Sequence, residues 1–158
     1  MLSSVVLLSL TNAFTKEKII SQQNSQTLSQ LQNMYPDMTD YALSKDIYII
    51  NKAGQEIGYA FIANGKGYGG AISILVGLET DKTTVKGISI LSQSETAGLG
   101  SRISLPSFAA QFAGKSINNI KLTKDGGQVD GIAGSTVSSR AVVEAVRTTA
   151  LQKVQELP

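Results

Sequence analysis

The sequence predicts an α+β domain in which an antiparallel sheet is flanked by helices. Two pairs of strand-like runs, each joined by a short turn, fill the middle of the chain, and one long helical periodicity closes it. Strands grouped together and followed by a closing helix, instead of alternating with helices, argue against a doubly wound parallel sheet. A length of 158 residues with 42% hydrophobic content fits one domain with a real core.

In chain order, residues 1–14 are apolar and uncharged and end before Lys16-Glu17-Lys18. The run is shorter than the about 20 residues of a bilayer span, and no positive region precedes it as in a signal peptide. It reads as a partial or short membrane anchor, with a buried or partner-packed helix as the alternative. Residues 15–34 are polar and helix-compatible, with Ile19, Ile20, Leu28, Leu31 and Met34 loosely on one side, and 15–40 read as a stalk helix and linker. Pro36-Asp37-Met38-Thr39-Asp40 breaks that helix, so the compact domain is placed at 41–158.

Within it, runs 47–50 and 57–63 flank a turn at 51–55, and runs 71–78 and 85–91 flank a turn at 81–83. Both second strands alternate apolar with small or polar residues, the pattern of half-buried antiparallel strands. A short helix is expected at 107–112 and a further strand at 120–122. From 141 onward Ala141, Val142, Ala145, Val146, Ala150, Leu151 and Val154 recur at helical spacing.

Composition narrows the chemistry. A net charge of +2 without a Lys/Arg block does not suggest nucleic acid. No cysteine is present, which excludes disulfides, thiolate chemistry and Cys-ligated metals. The absence of histidine removes the commonest general base and the usual zinc ligand. Whatever chemistry happens here is expected to be brought by a cofactor.

Three loops carry the functional signal. Gly65, Gly67 and Gly70 match the spacing of a dinucleotide fingerprint, but a β-branched run follows where that motif needs a helix. The match is therefore false, and what remains is a glycine connection that lets backbone approach something closely, with Tyr68 at its centre. Ser94-Glu95-Thr96-Ala97-Gly98-Leu99-Gly100 follows a strand and offers a carboxylate, a hydroxyl and an apolar surface suited to a flat ring. Asp130-Gly131-Ile132-Ala133-Gly134-Ser135-Thr136-Val137-Ser138-Ser139-Arg140 leads into the last helix. Ser135 or Thr136 stands at the expected N-cap. The N–H groups of Val137, Ser138 and Ser139 then point out of a terminus whose dipole favours an anion, and Arg140 could add a positive charge. The reading is a phosphate site; its plainer alternative is that Thr136 only caps the helix.

The second and third loops together resemble the FMN-binding subunits of two related respiratory complexes. These are the G subunit of the Rnf ion-translocating ferredoxin:NAD oxidoreductase and the C subunit of the sodium-translocating NADH:quinone reductase. Gly67-Tyr68-Gly69-Gly70 before a strand, Phe108 with Gln111 to Lys115, and Leu10-Thr11-Asn12-Ala13 after an apolar segment extend the likeness over nearly the whole chain. The short length is more like the Rnf protein. In that family FMN is esterified through its phosphate to the threonine ending the pattern D-x-x-[S/T]-G-A-T, which corresponds here to Thr136. Asp130 and Gly134 match; Ala133 stands for the usual Ser/Thr, Ser135 for the usual Ala, and Ala97 where proline is commoner. By the same resemblance Glu95, Thr96 and Leu99 face the isoalloxazine ring, with Gly98 and Tyr68 nearby.

The resemblance implies a membrane-anchored electron carrier with its soluble domain on the extracytoplasmic side. It also implies other subunits of a membrane redox complex as partners, and a magnesium-dependent flavin transferase that uses FAD for maturation. No residue set for an independent active site is evident. Two further readings are an FMN-binding domain of another membrane reductase and a flavin-free anchored assembly or binding domain.

Overall fold

The computed structural model describes residues 25–157. The expected anchor at 1–14 and the first part of the stalk lie outside them. Five strands form one antiparallel sheet in sequential order: β1 (Asp40–Ser44), β2 (Ile47–Lys52), β3 (Gln55–Lys66), β4 (Ala71–Leu78) and β5 (Val85–Gln93). Both expected hairpins are present. β2 and β3 turn at Ala53-Gly54, and β4 and β5 turn through 79–84, where Asp81 accepts the N–H groups of Thr83 and Thr84 at 2.9 and 2.8 Å.

Among the described residues three helices cover the sheet: α1 (residues 25–34), α2 (Pro106–Ala109) and α3 (Thr136–Glu156). Helix α3 packs on one face, chiefly over β3. The short α2 and its one-turn continuation Ala110–Phe112 cover β5 on the same side. That layer buries the larger core, in which Phe61, Ile72, Ile74, Val76 and Leu78 meet Phe108, Phe112, Val142 and Val146. Phe108 and Phe112 stack edge to face at 5.6 Å between centroids, a favoured aromatic geometry.

The opposite face is also covered, which the sequence reading did not foresee. Helix α1 falls in the segment assigned above to the stalk, and Leu31 and Tyr35 pack on Ile50, Ala60 and Leu75. The Tyr35 hydroxyl lies 2.8 Å from the carbonyls of both Tyr59 and Leu78, and burial pushes its pKa well above the ordinary tyrosine value. Tyr35 reaches them because Gly58 has no side chain: an added Cβ would sit 2.5 Å from the Tyr35 ring and 2.6 Å from the Leu78 carbonyl. The packed part of the chain therefore begins well before residue 41.

Two further differences have local causes. Strand β1 pairs with β2 from Asp40↔Asn51 to Ser44↔Ile47, although all five of its side chains are exposed. An edge strand with so little burial leaves almost no hydrophobic pattern to read. The expected strand at 120–122 is instead a connection between single turns Ile117–Asn119 and Thr123–Asp125, with one parallel bridge, Leu122↔Val129. Ile120 and Leu122 are apolar because they plug the core, and they pair with no full strand.

Candidate functional site

The site assembles where the start of α3 meets the β3–β4 and post-β5 loops. Thr136 is the first helical residue and Ser135 the N-cap. Ser135 adopts φ −136°, ψ 39°, away from the extended backbone of most capping residues, and its side chain makes no cap bond. Ser139 supports the turn instead. Its hydroxyl donates to the Ser135 carbonyl at 3.0 Å and accepts the Ile132 N–H at 3.0 Å. The Ser139 N–H is also spent on the Ser135 carbonyl, at 3.0 Å. Of the donors expected above, Ser139 is thus lost, and the helix geometry leaves Thr136, Val137 and Ser138 with unpaired backbone N–H groups. Gly134, at φ +77°, supplies the left-handed step that turns the loop into the helix.

Glu95 ties the neighbouring loops to this terminus. It is only 8% exposed. Its carboxylate accepts the Gly69 N–H at 2.8 Å, the Tyr68 N–H at 3.1 Å and the hydroxyl of Ser138. Its own N–H donates to the Gln93 side chain at 2.7 Å. Burial pushes the Glu95 pKa up, but the Ser138 hydroxyl and the N–H groups of Gly69, Tyr68 and Gly70 together outweigh burial and hold it below the ordinary value. The close approach expected of the glycine connection is to this group, since a Cβ on Gly67 would run into the Glu95 carboxylate. A carboxylate at a helix N-terminus is also favoured by the dipole.

These contacts frame a cavity of about 530 Å³, within the range of small-molecule sites. Tyr68, Glu95, Thr96, Leu99 and Gly100 line one side; Gly134, Ser135, Thr136, Val137 and Ser138 line the other. Its apolar surface is open: Tyr68 is 80% exposed, Val137 53% and Leu99 49%, three of the seven exposed large hydrophobics among the described residues. Thr136 is exposed at the mouth of the helix, whereas Ser135 is buried and its Oγ has no hydrogen-bond partner among the described residues. The donor set fits FMN: exposed apolar side chains suit a flat ring, and a helix terminus with free N–H groups and an orphaned hydroxyl suits a phosphate.

Four sequence-predicted residues do not line the cavity. Asp130 lies on the far side of the loop, where its N–H donates to the Gln111 side chain at 2.7 Å, next to Arg102 in a smaller groove. Gly98 turns the loop at φ +73° with its N–H donating to the Ser101 hydroxyl at 3.0 Å, and Ser139 works beneath the turn. Arg140 adds no charge to the site, because it pairs with Asp125 at 3.1 Å and approaches Glu144 at 3.8 Å. Gly100 is the lining residue that sequence reasoning left unassigned. A Cβ there would lie 2.7 Å from the Ser138 hydroxyl and 2.8 Å from Glu95, and only the second glycine of the loop hinted at that crowding.

Fold and sequence family together define a flavin-mononucleotide-binding domain. The profile of the FMN-binding domain family matches residues 67–151, more than half of the chain. The G subunit of the ion-translocating oxidoreductase complex of Vibrio vulnificus is 35% identical across 90% of this chain and 79% of the relative. Its counterpart in Aliivibrio fischeri is 33% identical across 99% of this chain and 90% of the relative. The G subunit of Methanosarcina acetivorans is 40% identical across 63% of this chain, which spans 53% of that relative. The chain therefore belongs to the FMN-binding domain family and, within it, to the family of these G subunits.

Among solved structures, the C subunit of the Na+-translocating NADH-quinone reductase of Parabacteroides distasonis superimposes with a TM-score of 0.58 at 28% identity, covering 71% of this chain and 63% of that one. The NqrC protein of Shewanella oneidensis gives 0.57 at 19% identity, covering 77% of this chain and 73% of that one, a likeness of fold.

Proposed function

We infer that this chain is an electron-transfer, FMN-carrying subunit of an Rnf-type ion-translocating oxidoreductase, with the flavin esterified to Thr136. The observation that carries the reading is the cavity in which exposed Thr136, at the N-terminus of a 21-residue helix, shares the lining with exposed Tyr68, Leu99 and Val137. Bound FMN supplies one- and two-electron redox chemistry. The protein's part is to hold it: Tyr68, Leu99 and Val137 offer apolar surface to the ring, and the first turn of α3 offers N–H groups to the phosphate. Electron relay through a flavin needs no acid or base from the protein, so a chain without histidine or cysteine suffices.

Attachment asks for a hydroxyl that a second protein can reach, and here Thr136 is exposed while Ser135 is buried. In the proposed attachment Thr136 Oγ1 would lose its proton to a base on a flavin transferase and bond to the FMN-side phosphorus of FAD, with the pyrophosphate broken and AMP released. We further propose that the domain works on the extracytoplasmic side of a membrane beside other redox subunits. No helix among the described residues is long and apolar enough to cross a membrane.

Intact-mass measurement and peptide mapping after co-expression with a transferase test the proposal. The expected gain is FMN minus water on the peptide bearing Thr136, abolished in a folded Thr136→Ala variant. A gain retained in Thr136→Ala moves the ester elsewhere. No gain in the folded, exported wild-type protein removes the covalent reading altogether.

A further inference from the structure

We propose that the buried Ser135 hydroxyl, together with the backbone N–H groups of Val137 and Ser138, forms an anion seat that holds the flavin phosphate both before and after Thr136 is esterified. The proposal rests on the FMN reading above and assigns a positioning role to the residue beside the attachment point.

Two independent observations meet at this seat. The first is the open N-terminus of α3, whose first-turn N–H groups have no intrahelical acceptor. The second is the Ser135 side chain. Its residue is 5% exposed and lines the cavity, yet Oγ is one of two buried side-chain polar atoms among the described residues without a hydrogen-bond partner. A buried polar atom is normally paired, so one left over beside a cavity marks a place for a ligand.

The surrounding bonds explain why no protein group takes that partner's place. The Ser135 N–H donates to the Ile132 carbonyl at 2.9 Å, and its carbonyl is filled by Ser139. The Ser138 hydroxyl, the nearest alternative donor on the helix, is committed to Glu95. Ser135 makes no cap bond, so the Ser138 N–H that a capping serine would have taken stays open. Ser135 Oγ is buried in the cavity wall and no hydrogen bond holds its χ1, so reaching a ligand takes a turn to another staggered position.

A phosphate fits this set because its oxygens accept only, and every open group is a donor. The Glu95 charge, the nearest negative group, is already answered by Ser138, Tyr68 and Gly69. Without a cation lining the cavity, the hydroxyl becomes a large part of what neutral donors can offer.

The test uses unmodified protein carrying Thr136→Val, which blocks attachment, and follows backbone amide signals by NMR. Inorganic phosphate and FMN should shift the Val137 and Ser138 amides, and riboflavin, which lacks the phosphate, should not. Adding Ser135→Ala should weaken phosphate and FMN about tenfold or more, the scale of a hydrogen bond to a charged group, while riboflavin affinity stays the same. Ser135→Thr should restore binding, and the amide spectrum of each variant reports that it is folded. The seat is overturned if phosphate shifts neither amide, if Ser135→Ala leaves phosphate and FMN affinity unchanged, or if it weakens riboflavin equally. Phosphate affinity that depends on Ser135 in a chain never modified at Thr136 would keep the seat and remove the flavin reading. Modification at Thr136 with phosphate affinity indifferent to Ser135 would do the reverse.

Discussion

Glu95 shows how one side chain can organise a site from within its lining. Its two oxygens bind the Tyr68 loop on one side and α3 on the other, so the carboxylate sets the distance between the apolar wall and the helix terminus. Glu95→Gln would put an amide donor where only acceptors are wanted, at a cost of about 2–3 kcal/mol in unfolding free energy. The pH dependence separates charge from shape. Because the folded pKa is held below the ordinary 4.5, the carboxylate contributes stability above about that pH and loses it as pH falls through the lower folded value. Denaturant titrations from pH 7 to 3 should therefore show the wild type losing stability below about pH 4.5 more steeply than the Gln variant. Equal slopes would mean that Glu95 is not held ionised by these contacts.

Among the elements, both hairpins and the closing helix were legible because their apolar residues keep the period of the backbone. Helix α1, in the segment read as a stalk, packs on the sheet for a reason visible in its partners. Tyr35 fills the gaps left by Gly58 and Gly77 on the sheet, Leu31 packs in the same cluster with Ile50, Ala60 and Leu75, and neither their spacing nor their polar neighbours announces this. Gly58→Ala should make the gap measurable: its Cβ would press on the Tyr35 ring and on the rigid Leu78 carbonyl, destabilising the fold by about 1–3 kcal/mol. An unchanged urea midpoint would show that Tyr35 moves aside freely.

Across the molecule, the sheet is covered on both faces, α3 above and α1 below, and the site sits at one end of the upper layer. A chain starting at residue 41 would lose Leu31 and Tyr35 from the lower layer, forfeiting roughly 3–6 kcal/mol of burial at about 1.5–3 per large side chain. That is comparable with the total stability of about 5–15 kcal/mol of ordinary domains. Such a truncation should show no cooperative urea transition, whereas one starting at residue 25 should keep it. A cooperative, native-like transition from residue 41 onward would make α1 an accessory. The site, too, is a product of the whole fold, since its lining residues reach one cavity from three separate loops.

Neighbouring residues were enough to specify the fold class, the hairpins, the long closing helix and the loops that carry the site. Each depends on local periodicity, turn chemistry or a motif, and all three are written over short stretches of chain. Tertiary packing was needed to make Glu95 a buried tie, to turn Arg140 away to Asp125, and to bury Ser135 without a partner while Thr136 stays exposed. These outcomes depend on groups that meet from well apart in the chain, as Glu95 does with Tyr68 and Ser138 across 27 and 43 residues. Competition among such distant donors and acceptors is settled by packing, and no local pattern records its result.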